Sequence, residues 1–149
     1  MSNVLIAIII LLITFVLMGL AVYDNIEASK RSSLAMTVGS KLSRVANDNQ
    51  EMSLELDRFV YSSGEESASG LAYYDSEMMQ REAFGSVSFR YHQNGVGYFT
   101  CAQSTDTSEP VREAFAIVAR DRPPSFVSGA CGEVDSPVTN LVVVSMRMN

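Results

Sequence analysis

The sequence predicts an α+β fold in which one long N-terminal helix packs on a small antiparallel β-sheet. The first 23 residues carry no charge, and residues 4–22 form one unbroken apolar run. Residues 24–62 continue a helical spacing of apolar side chains and contain no proline. Residues 63–149 hold an alternating hairpin pattern and both cysteines, which predicts a globular antiparallel-sheet domain with a cysteine-bounded C-terminal loop.

The apolar run has the length of a membrane-crossing helix. At about 1.5 Å per residue it extends roughly 28 Å, close to the thickness of the hydrocarbon layer of a bilayer. Only Met-Ser-Asn precedes it, without the basic residues and short apolar core of a secretory signal, so we expect the segment to be retained. Tyr23 stands where an interfacial aromatic residue would, and Gly19 is the weakest helix former in the run.

The orientation of this segment has two explanations. The nearest basic residues, Lys30 and Arg31, follow the run, and the positive-inside rule then places the C-terminal domain in the cytoplasm. The two cysteines favour the opposite side, where disulfides persist. Either Met1 is a processed N-terminus whose basic leader has been removed, or Met1 is the start residue and the rule carries little information here.

The second half of the predicted helix is amphipathic. Its apolar residues recur three or four positions apart, with Asn49 as one polar member of the same face: Leu34, Val38, Leu42, Val45, Met52, Leu56 and Phe59. Charged residues occupy the other face: Lys41, Arg44, Asp48, Glu51, Glu55, Asp57 and Arg58. The apolar stripe either packs on the protein's own core or forms a short coiled coil. Together the two halves predict one helix of roughly 55 to 60 residues, near 85 Å long.

Turn residues divide the rest of the chain into short elements. Residues 62–70 read as a solvated loop and 71–83 as a connection. A hairpin follows, with strands at 86–91 and 96–101 joined by a turn over His92–Gly95, in which Asn94-Gly95 suits positive φ.

The C-terminal third contains a second helix and more strand. Ser108 before Glu109-Pro110 is a helix start, so 111–120 reads as a helix, with a strand as the alternative. Pro123-Pro124 ends it. Strand-like residues at 126–128 and a β-rich segment at 140–148 complete the sheet.

Composition and motifs argue against catalysis. The net charge of −6 does not favour nucleic acid or anionic lipid headgroups. No nucleophile motif, phosphate-binding glycine loop or metal-ligand cluster is present, and the single histidine, His92, reads as a solvated turn residue. We expect no enzyme activity and no cofactor.

Cys101 and Cys131 are the only cysteines and are 30 residues apart. In a small domain behind a membrane segment, this pair predicts one disulfide, with two free buried thiols as the alternative.

The order of these features resembles mature type IV pilins and pseudopilins, and the C-terminal third looks more like the type IVb branch. An uncharged apolar start leads into a long helix that becomes amphipathic, then a loop, an antiparallel sheet and a cysteine-bounded loop. The resemblance implies a structural subunit of a surface filament serving adhesion, motility, DNA uptake or conjugation. It also implies anchoring in the inner membrane before assembly, an extracellular location afterwards, and copies of itself or related pilins as partners.

The resemblance further implies that the apolar half, residues 1–23, forms the filament core. We expect assembly contacts along it from Met1, Leu5, Ile8, Leu12, Phe15 and Gly19. Leu5 departs from the family, which usually has a glutamate at this position, and the proline usual within the apolar half is missing. Some filament-tip members lack the glutamate too, so Leu5 does not exclude the family. It argues against a role as the major subunit. The alternative is a single-span accessory subunit of a membrane complex with a soluble interaction domain. No motif identifies a surface ligand.

Overall fold

The computed structural model describes residues 2–56 and 86–148. Its elements, in chain order, are helix α1 (Ser2–Leu56), strands β1 (Val87–Asn94) and β2 (Gly97–Ser104), helix α2 (Glu109–Asp121), and strands β3 (Ser125–Ser128) and β4 (Val142–Arg147). The predicted α+β architecture is confirmed. The predictions for Met1, for the end of the long helix up to residue 62 and for the segments 62–70 and 71–83 lie outside the described residues.

Helix α1 is continuous over 55 residues, or about 82 Å. Its second half lays the predicted stripe on the protein's own core, where Val38, Leu42 and Val45 are fully buried. Leu34 packs at the edge of the same cluster, and Asn49 is also buried. Within residues 34–49 the stripe is therefore a core-packing face, and the coiled-coil alternative is wrong.

The four strands form one antiparallel sheet in the order β1-β2-β4-β3. The C-terminal strand β4 thus lies between β2 and the short β3. Val142, Val143 and Val144 of β4 are all buried, although successive side chains point to opposite faces of a strand. Both faces of the sheet must therefore be covered, and the domain has three layers.

The two faces have separate cores. On the helix face, Tyr91, Ala102 and Val144 join Leu42 of α1 and Phe115 of α2 in the larger cluster. The outer face carries a smaller cluster, which contains Phe99, Cys101, Cys131 and Val143. The segment between β3 and β4 covers this outer face.

Helix α2 runs in the same direction as α1 and is held at both ends. Near its start Glu113 pairs with Arg31, and just after its end Arg122 Nε donates to Ser43 Oγ at 3.0 Å. The Arg122 guanidinium lies against the α1 backbone at Gly39, where a Cβ atom would come within 2.2 Å of Nη1. Gly39 therefore leaves space for the guanidinium within an otherwise regular helix.

The hairpin is confirmed, but its predicted turn over His92–Gly95 is wrong. Strand β1 continues to Asn94, which pairs with Gly97, so only Gly95 and Val96 connect the strands. The Asn94 side chain explains the difference, since Oδ1 accepts hydrogen bonds from the N–H groups of Val96 at 2.9 Å and Gly97 at 3.2 Å. His92 consequently lies within the strand, opposite Phe99.

The second helix begins where Ser108-Glu109-Pro110 predicts, and the strand alternative for 111–120 is wrong. Val111, Ala114, Phe115 and Val118 bury one helical face. Ser108 stands at the N-cap but makes no capping hydrogen bond with its side chain. Instead Asp106 Oδ1 accepts the Ser108 N–H at 3.0 Å, which closes the turn before the helix.

Candidate functional site

Within residues 2–56 and 86–148, nothing covers the apolar half of α1. Residues 3–26 are all exposed, and the first buried residue of the helix is Ala35. The uncovered part is about 36 Å long. Among the described residues, one helix, α1, is long and apolar enough to cross a membrane. The residues that make it so are those of the exposed N-terminal segment.

The predicted assembly residues lie along one side of this segment, three or four positions apart. Leu5 is 63% exposed, Ile8 52%, Leu12 59% and Phe15 67%. A Cβ built at Gly19 would meet no atom within 4 Å other than those of its chain neighbours and the helix's own backbone. Met1 is outside the described residues. The structure thus places five of the six residues on an open helix surface and gives none of them a partner within the described part of the chain.

The polar group inside the run is satisfied within the helix. Thr14 Oγ1 donates to the carbonyl of Ile10 at 2.8 Å. A hydroxyl paired in this way adds little cost in an apolar environment, because it brings no unmet hydrogen bond with it. The segment is therefore chemically suited to lipid or to neighbouring apolar helices.

The junction between the free and the packed parts of α1 is ionic. Arg31 pairs with Glu113 of α2, and the two side chains are 31% and 43% exposed. The hydrogen bond to Glu113 raises the pKa of Arg31 above its ordinary value, so the arginine stays charged. Domain contacts with α1 therefore begin close to this pair.

The cysteine-bounded loop forms the other notable surface. Cys101 of β2 and Cys131 are joined by a disulfide with a Cα–Cα distance of 5.8 Å, as the predicted pairing requires. Beside it, Gly132 N–H donates to Ser145 Oγ at 3.0 Å, and Asn94 Nδ2 donates to the Gly132 carbonyl at 2.8 Å. Gly132 has a φ of 76°, which favours glycine. The loop is thus fixed to both β4 and the hairpin.

A groove of about 830 Å³ opens between this loop and the hairpin end of the sheet. Its apolar lining includes Phe99, Phe126 and Val134, and the two phenyl rings meet edge to face with centroids 6.0 Å apart. Its charged lining consists of Glu133, Asp135 and Arg147. The sequence offered one missed signal for this groove: the consecutive valines 142–144 put apolar side chains on both sides of β4, which is typical of a strand covered on both faces.

The histidine and the carboxylates form no metal centre in the described part of the chain. His92 is half-buried within β1, and no group of three or more His, Cys, Asp or Glu side chains among residues 2–56 and 86–148 is arranged to hold a metal ion. The absence of an enzyme activity stays a prediction.

Comparison with protein families, with characterised proteins and with solved structures finds no match to this chain. The long N-terminal helix, apolar in its first half and packed on an antiparallel sheet in its second, is compatible with a pilin-like fold.

Proposed function

We propose that this chain is a structural subunit of a type IV pilus-like surface filament. The main support is one continuous helix whose residues 3–26 are exposed on all sides, while the same helix is packed on its domain from Ala35 onward. In this proposal the apolar half of the helix, residues 1–23, is an anchor in the inner membrane before assembly. Afterwards it packs against copies of itself or related pilins, and the domain coats an extracellular filament.

The free energy of burying apolar side chains favours contact of the apolar half with lipid or with other helices. Burying a large aliphatic or aromatic side chain contributes about 1.5 to 3 kcal/mol, and more than a dozen such side chains are exposed between Val4 and Tyr23. Exposed apolar area of this extent marks a membrane or protein contact. Lipid and a helix bundle are both apolar, so a subunit can pass from one to the other without bringing this surface into water.

Leu5 favours the second candidate, a single-span accessory subunit of a membrane complex. In the pilin resemblance a glutamate usually stands at this position, and here the side chain is an exposed leucine. Both candidates place the apolar half in lipid. They differ in whether copies of the helix later pack together.

The experiment compares Ile10→Asp with Val96→Asp in cells that produce the full chain. The two native side chains are similarly exposed, 59% and 65%, but Ile10 lies in the apolar half and Val96 in the hairpin turn. A carboxylate at position 10 is costly both in lipid and in a helix bundle. We expect Ile10→Asp to abolish surface filaments seen by electron microscopy and Val96→Asp to preserve them.

Membrane insertion is measured on the same samples by carbonate extraction, because failed insertion also removes filaments. A membrane-inserted Ile10→Asp protein without filaments supports packing of the apolar half. Normal filaments from that variant would refute it. If the unmodified chain inserts but never reaches a surface filament, the accessory-subunit function replaces the proposal.

The N-terminus provides an independent test. A processed pilin that begins at Met1 is expected to carry an N-methyl group, whereas a start methionine carries a formyl group or a free amine, or is removed before Ser2. We expect the intact mass of the purified protein to match retained, methylated Met1. A formylated or missing Met1 would contradict the pilin function and favour the accessory subunit.

A further inference from the structure

The groove on the outer face of the sheet has firm walls. The disulfide and the hydrogen bond between Asn94 and the Gly132 carbonyl fix the loop on one side, and β2 and β4 lie beneath it. A Cβ at Gly129 would come within 2.0 Å of the Pro137 carbonyl oxygen, so the two ends of the loop are in close contact. A groove held in this way loses little conformational freedom when a ligand enters.

The three charged side chains of the groove differ in whether they are hydrogen-bonded to the protein. Arg147 Nη2 donates to the Val96 carbonyl at 3.0 Å and is thereby tied to the hairpin. Glu133 and Asp135 are exposed, and neither makes an ion pair or a side-chain hydrogen bond with any residue in the described ranges. The groove therefore offers two available carboxylates beside apolar walls that include Phe126 and Val134.

We propose that this groove binds a short basic segment of a partner polypeptide, whose lysine or arginine side chains extend over the apolar wall to Glu133 and Asp135. A cation on a long aliphatic stem matches both features, because the stem covers apolar surface while the charged end stays at the solvated rim. The proposal does not depend on how the apolar helix half assembles.

The probe is a fluorescein-labelled peptide, Gly-Phe-Lys-Val-Lys-Gly, titrated with the full chain in detergent micelles and followed by fluorescence anisotropy. We expect saturable binding that weakens with added salt, and no binding of the matched peptide with glutamate in place of lysine. The double variant Glu133→Gln/Asp135→Asn should weaken binding roughly fivefold, the effect expected for two partly solvated ion pairs.

Two further variants make the test specific. Arg147→Gln removes from the groove a positive charge that repels the lysines of the peptide, and should strengthen binding about twofold. The double variant Asp24→Asn/Glu109→Gln changes the net charge equally but away from the groove, and should leave the affinity unchanged. Circular dichroism checks the fold of each variant.

Three outcomes would overturn the proposal. The first is no binding of the lysine peptide at millimolar protein. The second is equal binding of the lysine and glutamate peptides. The third is an equal loss of affinity in the groove variant and the distant charge variant, which would mean attraction by net charge alone.

Discussion

The two halves of helix α1 share one backbone and have opposite surroundings. From Ala35 to Asn49 one face of the helix is buried against its own domain, whereas residues 3–26 are exposed on all sides. Their sequences differ accordingly, with an apolar stripe in one half and apolar residues on all sides in the other. The described domain therefore builds its core from the second half alone, and the apolar surface of the first half is left uncovered by the described residues.

The largest expected effect comes from a matched pair of leucines. Leu42 is fully buried and Leu12 is 59% exposed on the same helix. We expect Leu42→Ala to lower the free energy of unfolding by about 3 to 5 kcal/mol, because it leaves a cavity in the helix-side core. Leu12→Ala should change it by less than about 0.5 kcal/mol. Urea unfolding in micelles, followed by near-ultraviolet circular dichroism, measures both, and equal losses would contradict the division of the helix.

The second prediction concerns how much the Cys101–Cys131 disulfide contributes to the stability of the domain. Replacing Cys101 and Cys131 together by serine should lower the free energy of unfolding by roughly 3 to 4 kcal/mol, because a loop of 30 residues is no longer closed in the unfolded chain. The native protein should show no alkylatable thiol by mass spectrometry of non-reduced peptides. Two reactive thiols would refute the bond and weaken the assignment of the domain to an oxidising compartment.

The junction between the two halves should contribute modestly. Arg31 and Glu113 are both partly exposed, so solvent screens their attraction and we expect only a small coupling energy. A double-mutant cycle with Arg31→Met and Glu113→Gln, measured by the same urea unfolding, gives this quantity. A coupling energy as large as the loss caused by Leu42→Ala would mean that the ion pair, rather than the apolar core, holds α2 on α1.

The smallest effect concerns the turn before α2. Hydrogen bonds from the backbone N–H and the hydroxyl of Ser108 lower the pKa of Asp106. A lowered pKa adds stability above the carboxyl's ordinary pKa, and this contribution is lost as the pH falls through the value in the folded protein. Asp106→Asn should therefore reduce the Tm slightly at neutral pH and not at strongly acidic pH. A reduction that is equal at both pH values would exclude the carboxylate as its cause.

The elements could be predicted because their signals are local. Apolar spacing identified α1 and its two halves, and Ser108 with Pro110 marked the start of α2. The turn was misplaced because the side-chain hydrogen bonds of Asn94, a single residue, decide where the ladder ends.

The arrangement of the elements could not be predicted in the same way. The insertion of β4 between β2 and β3 depends on pairings between residues far apart in sequence. The contact of Arg122 with Gly39 and the groove beside Glu133 likewise join residues that are far apart in sequence. The consecutive valines 142–144 did carry a signal, since a strand apolar on both faces requires cover on both sides.

We propose that copies of the apolar helix half pack together in a filament, and cysteine crosslinking tests this packing most directly. One cysteine at a time is introduced at Leu5, Ile8, Leu12 or Phe15, and sheared surface material is treated with a short bismaleimide. The native cysteines are joined to each other, so the introduced thiol is the reactive one. We predict crosslinked dimers in the surface fraction at one or more of the four positions, with Met36→Cys on the packed half, 71% exposed, as the control that stays monomeric. Surface material that contains the chain but gives monomers at all four positions would contradict the account.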